Sequence, residues 1–114
     1  MAKATTTRAK ADQYEVVKPL LAAMYDEFRE LSKKKPEAVV SKRKIKLANR
    51  LLESCRDVLQ DEEAFKFLDL IDEDDVPQQS DVVLMLSQYV AAMASFHGKY
   101  HGWNGREHDW FLKG

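Results

Sequence analysis

Apolar residues recur at alternating three- and four-residue spacings along three stretches of the chain, the pattern that gathers side chains on one face of a helix. The first runs Tyr14, Val17, Leu21, Met24, Phe28, Leu31. A second runs Ile45, Ala48, Leu52, Cys55, Leu59 and is widened by Leu47, Leu51 and Val58. The third runs Val82, Leu86, Tyr89, Met93, Phe96, Tyr100 and is widened by Val83, Leu84, Met85 and Val90. None shows the period-two alternation of a half-buried strand, so each predicts a helix. Met24, Met85 and Met93 on these stripes are expected to act as adaptable core packing.

Punctuation between the stripes sets the expected boundaries. Pro19 falls inside the first stripe, which predicts a helix starting near residues 17–19 after an ordered lead-in over 12–18. Three lysines followed by Pro36 end it, because cations suit the negative end of the helix dipole and proline disfavours helix at the residue before it. Ser41 is placed to cap a second helix running to about Gln60. Asp61 is placed to cap a short helix over 64–71 that presents Ala64, Phe67, Leu68 and Ile71 on one side. The run from Asp72 to Pro77 stops it, and Ser80 caps the last long helix, with Asp81 at its first position.

Beyond Tyr100 the composition turns to Gly, Asn and aromatics. Asn104 and Gly105 suit a tight turn, but the flanks are short and polar, so an irregular tail rather than strands is expected. The predicted architecture is all-α: a compact antiparallel bundle of three long helices and one short helix, ending in an irregular aromatic tail. Its expected organisation is a disordered basic arm over residues 1–11, a helical domain over 12–100, and a Gly/aromatic tail over 101–114 that packs on the bundle or on a partner.

Charge changes the picture from a plain bundle to a polarised one. Residues 1–50 hold 13 Lys and Arg against 6 Asp and Glu, whereas residues 51–114 hold 5 against 13. A near-neutral total of −1 therefore conceals two halves of opposite sign, a feature that bears on partners rather than on fold. The basic half peaks at Lys33, Lys34, Lys35, Lys42, Arg43, Lys44 and Lys46. These are the candidate contacts to phosphates or to an acidic protein surface. No aromatics for base stacking are interleaved with them, and there is no Asn or Gln for base readout. The acidic run Asp69, Asp72, Glu73, Asp74, Asp75 and Asp81 lacks the glycine and closing Glu of a calcium loop, and Val76 and Pro77 interrupt it. It reads instead as a solubilising segment or as the complement of the basic one, in the same chain or in a second copy.

Candidate chemistry is sparse. His97 and His101 are four residues apart, a spacing that stacks two ligands on one face if helix continues through Gly98 to Gly102, and His108 or Asp109 could complete a three-ligand set; with two glycines in that stretch and no stronger signature, no metal is expected. Cys55, the only cysteine, sits on an apolar stripe where a buried, inert thiol is the default. All four glycines lie at position 98 or beyond, which leaves no phosphate-cradling loop, and no serine has a nucleophile-elbow context. An enzyme is not expected, nor is any cofactor or small-molecule substrate. With one cysteine, no secretory apolar core near the start and no run of about 20 apolar residues, the expected setting is cytoplasmic and away from membranes.

The leading expectation is a non-catalytic interaction or regulatory protein. It would act through its polarised surface and through Trp103, Trp110 and Phe111, since tryptophan is enriched among interface anchors. Its partner would be another protein or a second copy. The alternative is a nucleic-acid-associated protein whose basic segment contacts phosphates.

Overall fold

A computed structural model describes residues 3–113. The chain is mostly helical, with a small two-stranded sheet: α1 (Arg8–Lys34), α2 (Lys42–Leu59), α3 (Gln79–Tyr100), β1 (His101–Trp103) and β2 (His108–Trp110). Each helix carries one of the three apolar stripes. α1 packs along both α2 and α3, and those two touch each other, so the stripes share one core. Tyr89, Phe96, Leu21, Ile45, Leu52, Leu59, Leu86 and Met93 are its largest fully buried side chains. The molecule is elongated, 49 × 23 × 21 Å, as a 27-residue helix of about 40 Å requires.

α1 starts at Arg8, well before the start expected near residues 17–19, and Pro19 lies inside it. Thr7 caps it, its hydroxyl accepting from the Lys10 N–H at 3.2 Å. The reason is packing. Ala11 and Tyr14 continue the buried face of Val17 and Leu21 on the N-terminal side of the proline, and the exposed Pro19 ring projects from the opposite side. Burial of those side chains offsets the roughly 3 kcal/mol that an interior proline costs.

The start of α2 is as the sequence predicts: the Ser41 hydroxyl accepts from the Lys44 N–H at 3.2 Å. The short helix expected over 64–71 is absent. In its place stand two 3-10 turns, Glu63–Phe67 and Glu73–Asp75, with extended chain between them. Leu68 and Ile71 reach the core from that extended chain, and Phe67 points outward at 66% exposure instead of joining them. Two side chains hold the segment down. Asn49 of α2 donates to the Ile71 carbonyl at 2.7 Å and accepts from the Ile71 N–H at 2.8 Å, and the buried Tyr89 hydroxyl donates to the Asp69 carbonyl at 2.8 Å.

α3 begins one residue before Ser80. The Gln78 N–H donates to the Asp81 carboxylate at 2.9 Å, while the N–H groups of Gln79 and Ser80 are taken by the carbonyls of Ala38 and Pro36. Donors that a serine cap would have served are met by the α1–α2 connection, so the helix can start earlier.

Both ends of the chain are more ordered than the sequence suggests. β1 and β2 pair antiparallel, His101 with Trp110, Gly102 with Asp109 and Trp103 with His108. The Asn104 side chain accepts from the N–H groups of Arg106 and Glu107, and Gly105 takes a φ of 101° that only glycine adopts readily. The arm expected to be disordered lies alongside: Thr6 is buried and bridges Leu112 in parallel, donating to the Phe111 carbonyl and accepting from the Lys113 N–H, each at 2.9 Å. Met1, Ala2 and Gly114, parts of the expected arm and tail, lie outside the described residues.

Candidate interaction surface

α1 and α2 run antiparallel. Near one end the Gln13 amide donates to the Ser54 carbonyl at 2.8 Å, and near the other Phe28 and Leu31 border Lys44 and Leu47. The apolar positions of both helices extend beyond the arc that α3 covers. Val16, Leu20 and Leu47 remain 63%, 54% and 55% exposed, and they border a groove of about 480 Å³ with Met24, Leu51, Arg50 and Ser54. A second hollow of about 280 Å³ continues it past Met24 and Leu47 to Glu27, Phe28, Leu31 and Lys44. Together they form one apolar channel along the α1–α2 face. Scattered exposed leucines are ordinary, but a contiguous apolar strip with charged edges is the form that contact surfaces take.

The charged side chains that border this channel are Lys44 and Arg50 of α2 and Glu27 of α1. Glu53 and Asp57 lie on another side of α2, around a hollow they share with Arg56, Gln60 and Phe65. Two other cations of the helix are engaged elsewhere. Lys42 faces Asp74 of the acidic 3-10 turn at 3.6 Å, and the Arg56 guanidinium lies 4.3 Å over the Phe65 ring. The acidic run thus sits beside the start of α2, and a second ion pair between the two halves joins Lys10 to Asp61.

Of the predicted basic residues, Lys33 pairs with Glu30 at 3.0 Å. Lys34, Lys35, Arg43, Lys44 and Lys46 are exposed, with no ion pair among the described residues. All seven basic residues gather at the end of the molecule where α1 gives way to α2.

The predicted aromatic anchors divide. Trp110 is 8% exposed and packs among Tyr14, Phe96, His97 and His101 at centroid distances of 5.2–5.9 Å, its indole N–H donating to Glu15 at 2.9 Å. It belongs to the core. Phe111 is half-buried over Gly102 with the Lys3 ammonium 4.5 Å from its ring. Trp103 alone stands out, 55% exposed against His108.

His97 and His101 stack at 4.4 Å, while His108 sits on the other strand against Trp103. The described residues contain no group of three His, Cys, Asp or Glu arranged to hold a metal ion. Burial, the neighbouring His101 and Lys18 keep the His97 pKa below its ordinary value, against an opposing pull from Glu15. His97 closes one end of an α1–α3 groove of about 390 Å³ that also has Tyr14, Lys18, Leu21 and Met93 in its walls. Burial pushes the Cys55 thiol up to about 12, so it carries no thiolate near neutrality.

Sequence reasoning did not single out the α1–α2 channel, although its signal was present. Leu47 and Leu51 widen the second stripe past the arc that one neighbouring helix can cover, and Val16 and Leu20 lie beside the first stripe. No family model, curated protein or solved structure matches the chain. Among the described residues no helix is long and apolar enough to cross a membrane.

Proposed function

We propose that this protein is a non-catalytic interaction module, an elongated antiparallel helical bundle that docks a protein partner on its α1–α2 face. One observation carries the reading: Val16, Leu20 and Leu47 stay more than half exposed side by side on a continuous apolar channel. Leaving that strip in water forgoes burial worth about 25 cal/mol per Å², which a partner would recover. The protonated Cys55 and the stacked pair His97 and His101 support a binding role over a catalytic one. Of the tail, Trp103 remains as an outlying anchor, while Trp110 serves the scaffold.

The test is site-specific photo-cross-linking in intact cells. A photoreactive phenylalanine analogue at position 47 is expected to give discrete adducts that the same analogue at position 84 does not give. Leu84 is comparably exposed but stands on α3, away from the channel. No adduct at 47, or the same adducts at both positions, rules the reading out.

The second reading, phosphate contact through the basic segment, is favoured by the unpaired Lys34, Lys35, Arg43, Lys44 and Lys46 at one end of the molecule. Asp72, Glu73, Asp74 and Asp75 beside the start of α2 oppose it by repelling phosphate. Salt-sensitive anisotropy with a labelled duplex, relieved by reversing Arg43, Lys44 and Lys46 together, would promote it over protein docking.

A further inference from the structure

We propose that the occupant of the α1–α2 channel is an amphipathic helix of another protein, about four turns long and acidic along the flank that faces α2. The proposal rests on the docking reading above and deepens it by naming the partner's chemistry. Shape limits the occupant first. The floor of the channel is formed by Val17, Met24 and Leu51, which are buried or half-buried, and its rims carry the exposed Val16, Leu20 and Leu47. A flat lipid surface would rest on those rims without reaching the floor. The apolar ridge of a helix fits into such a groove, and a helix meets its own backbone hydrogen bonds there without help from water. From Val16 to Leu31 the α1 wall runs about 22 Å, the length of about four helical turns.

Charge then sets the kind of helix. Lys44 and Arg50 border the channel on its α2 side, and Arg43 lies one turn before the exposed Leu47 on the same side of the helix. None of the three has an ion pair among the described residues, whereas Lys42 and Arg56 of the same helix are engaged. Arg43 and Arg50 stand about 10.5 Å apart along α2, which matches two carboxylates two turns apart on a helix laid beside it. The α1 side differs, since the charge that borders the channel there is Glu27. An occupant with cations toward α2 would meet three like charges, and one with acids on both flanks would meet Glu27. Acids toward α2 and none beside Glu27 satisfy both sides.

A single four-turn helix covers a patch toward the small end of specific interfaces, which places the dissociation constant in the micromolar range.

Selection from a display library of helical peptides tests this. Each member is about 16 residues long, with a fixed leucine stripe and Glu, Lys or Ser at every flanking position. Counter-selection on the protein carrying Leu20→Glu and Leu47→Glu removes peptides that bind elsewhere. The enriched peptides are expected to carry Glu two turns apart on one flank only. A synthetic copy should bind the purified protein at micromolar concentration in fluorescence anisotropy. Arg43→Glu with Arg50→Glu should weaken it about tenfold or more, and Lys in place of the peptide's flanking Glu should restore it, with circular dichroism confirming that each variant stays helical. Three results overturn the proposal: no enrichment over the counter-selecting variant, Lys or Ser on the flanks of the enriched peptides, or a charge exchange without rescue. It also falls if Leu20→Glu with Leu47→Glu abolishes a dimer seen by sedimentation velocity, which would give the channel to a second copy. Loss of co-sedimentation with phosphatidylserine vesicles in the same variant would give it to a lipid surface. Discrete adducts from position 47 alongside failed peptide selection would sink the acidic helix and leave the docking face standing.

Discussion

Replacing Trp110 with alanine separates a tail that is part of the core from one that merely rests on it. At 8% exposure the indole removes about 200 Å² from water, which at about 25 cal/mol per Å² corresponds to about 5 kcal/mol. A compact denatured state lowers this by 10–40%, to roughly 3–4.5 kcal/mol. Losing the indole bond to Glu15 adds about 1 kcal/mol. The expected loss is therefore about 4 kcal/mol, within the usual range for truncating a buried tryptophan. For 114 residues unfolding near 60 °C, that corresponds to a fall in Tm of about 15 °C. Total stability for a chain of this length is about 6–17 kcal/mol, so the variant should still fold at low temperature. Urea titration followed by helical ellipticity gives the value directly. Trp103→Ala is the control: its ring is mostly in water, and its loss should cost less than about 1 kcal/mol. Should Trp110→Ala cost under about 1 kcal/mol, or no more than Trp103→Ala, the tail does not belong to the helical core and the reasoning fails.

Asn49→Ala should cost about 3 kcal/mol in the same titration, because it leaves both the N–H and the carbonyl of the buried Ile71 without partners. A loss below about 0.5 kcal/mol would show that the clamp on the 61–77 segment is dispensable. The lowered pKa of His97 makes stability depend on pH in a defined direction. Between its lowered folded value and the unfolded value near 6.5 the unfolded chain binds more protons, so this contribution is whole above about pH 6.5 and is lost as the pH falls through the folded value. Stability should drop as the pH falls below about 6.5, and His97→Gln should flatten that drop. An unchanged slope in the variant refutes the assignment to His97.

The helices were legible in the sequence because their stripes persist for several turns, and the Ser41 cap was legible because its partner lies three residues away. What escaped was decided by contacts distant in sequence. Thr6 is ordered by Leu112, a partner no local window contains. The hairpin has strands of three residues each, too short to show alternation, and is held by Trp110 packing on α1 and α3. Pro19 looked like a boundary because local propensity says so, yet burial on either side of it overrides propensity. The 63–75 segment failed to become a helix because Asn49 and Tyr89 bind its backbone carbonyls, groups a helix would have consumed internally. In the basic segment the sequence showed which residues are charged. That Lys42 turns to Asp74 while Lys44 lines an apolar groove depends on their angular positions on α2 and on what packs against each side.

The parallel bridge between Thr6 and Leu112 has a mechanical consequence. Because the strands run the same way, the chain leaves the bridge toward residue 3 in one direction and toward residue 113 in the other. A pull applied through the two ends therefore loads both backbone hydrogen bonds of Thr6 together, in shear, instead of opening them one at a time. Tension reaches the helices only after that clasp slips. The stiffest response to stretching then resides in a few residues at the extremities, and α1, α2 and α3 stay slack until the ends separate.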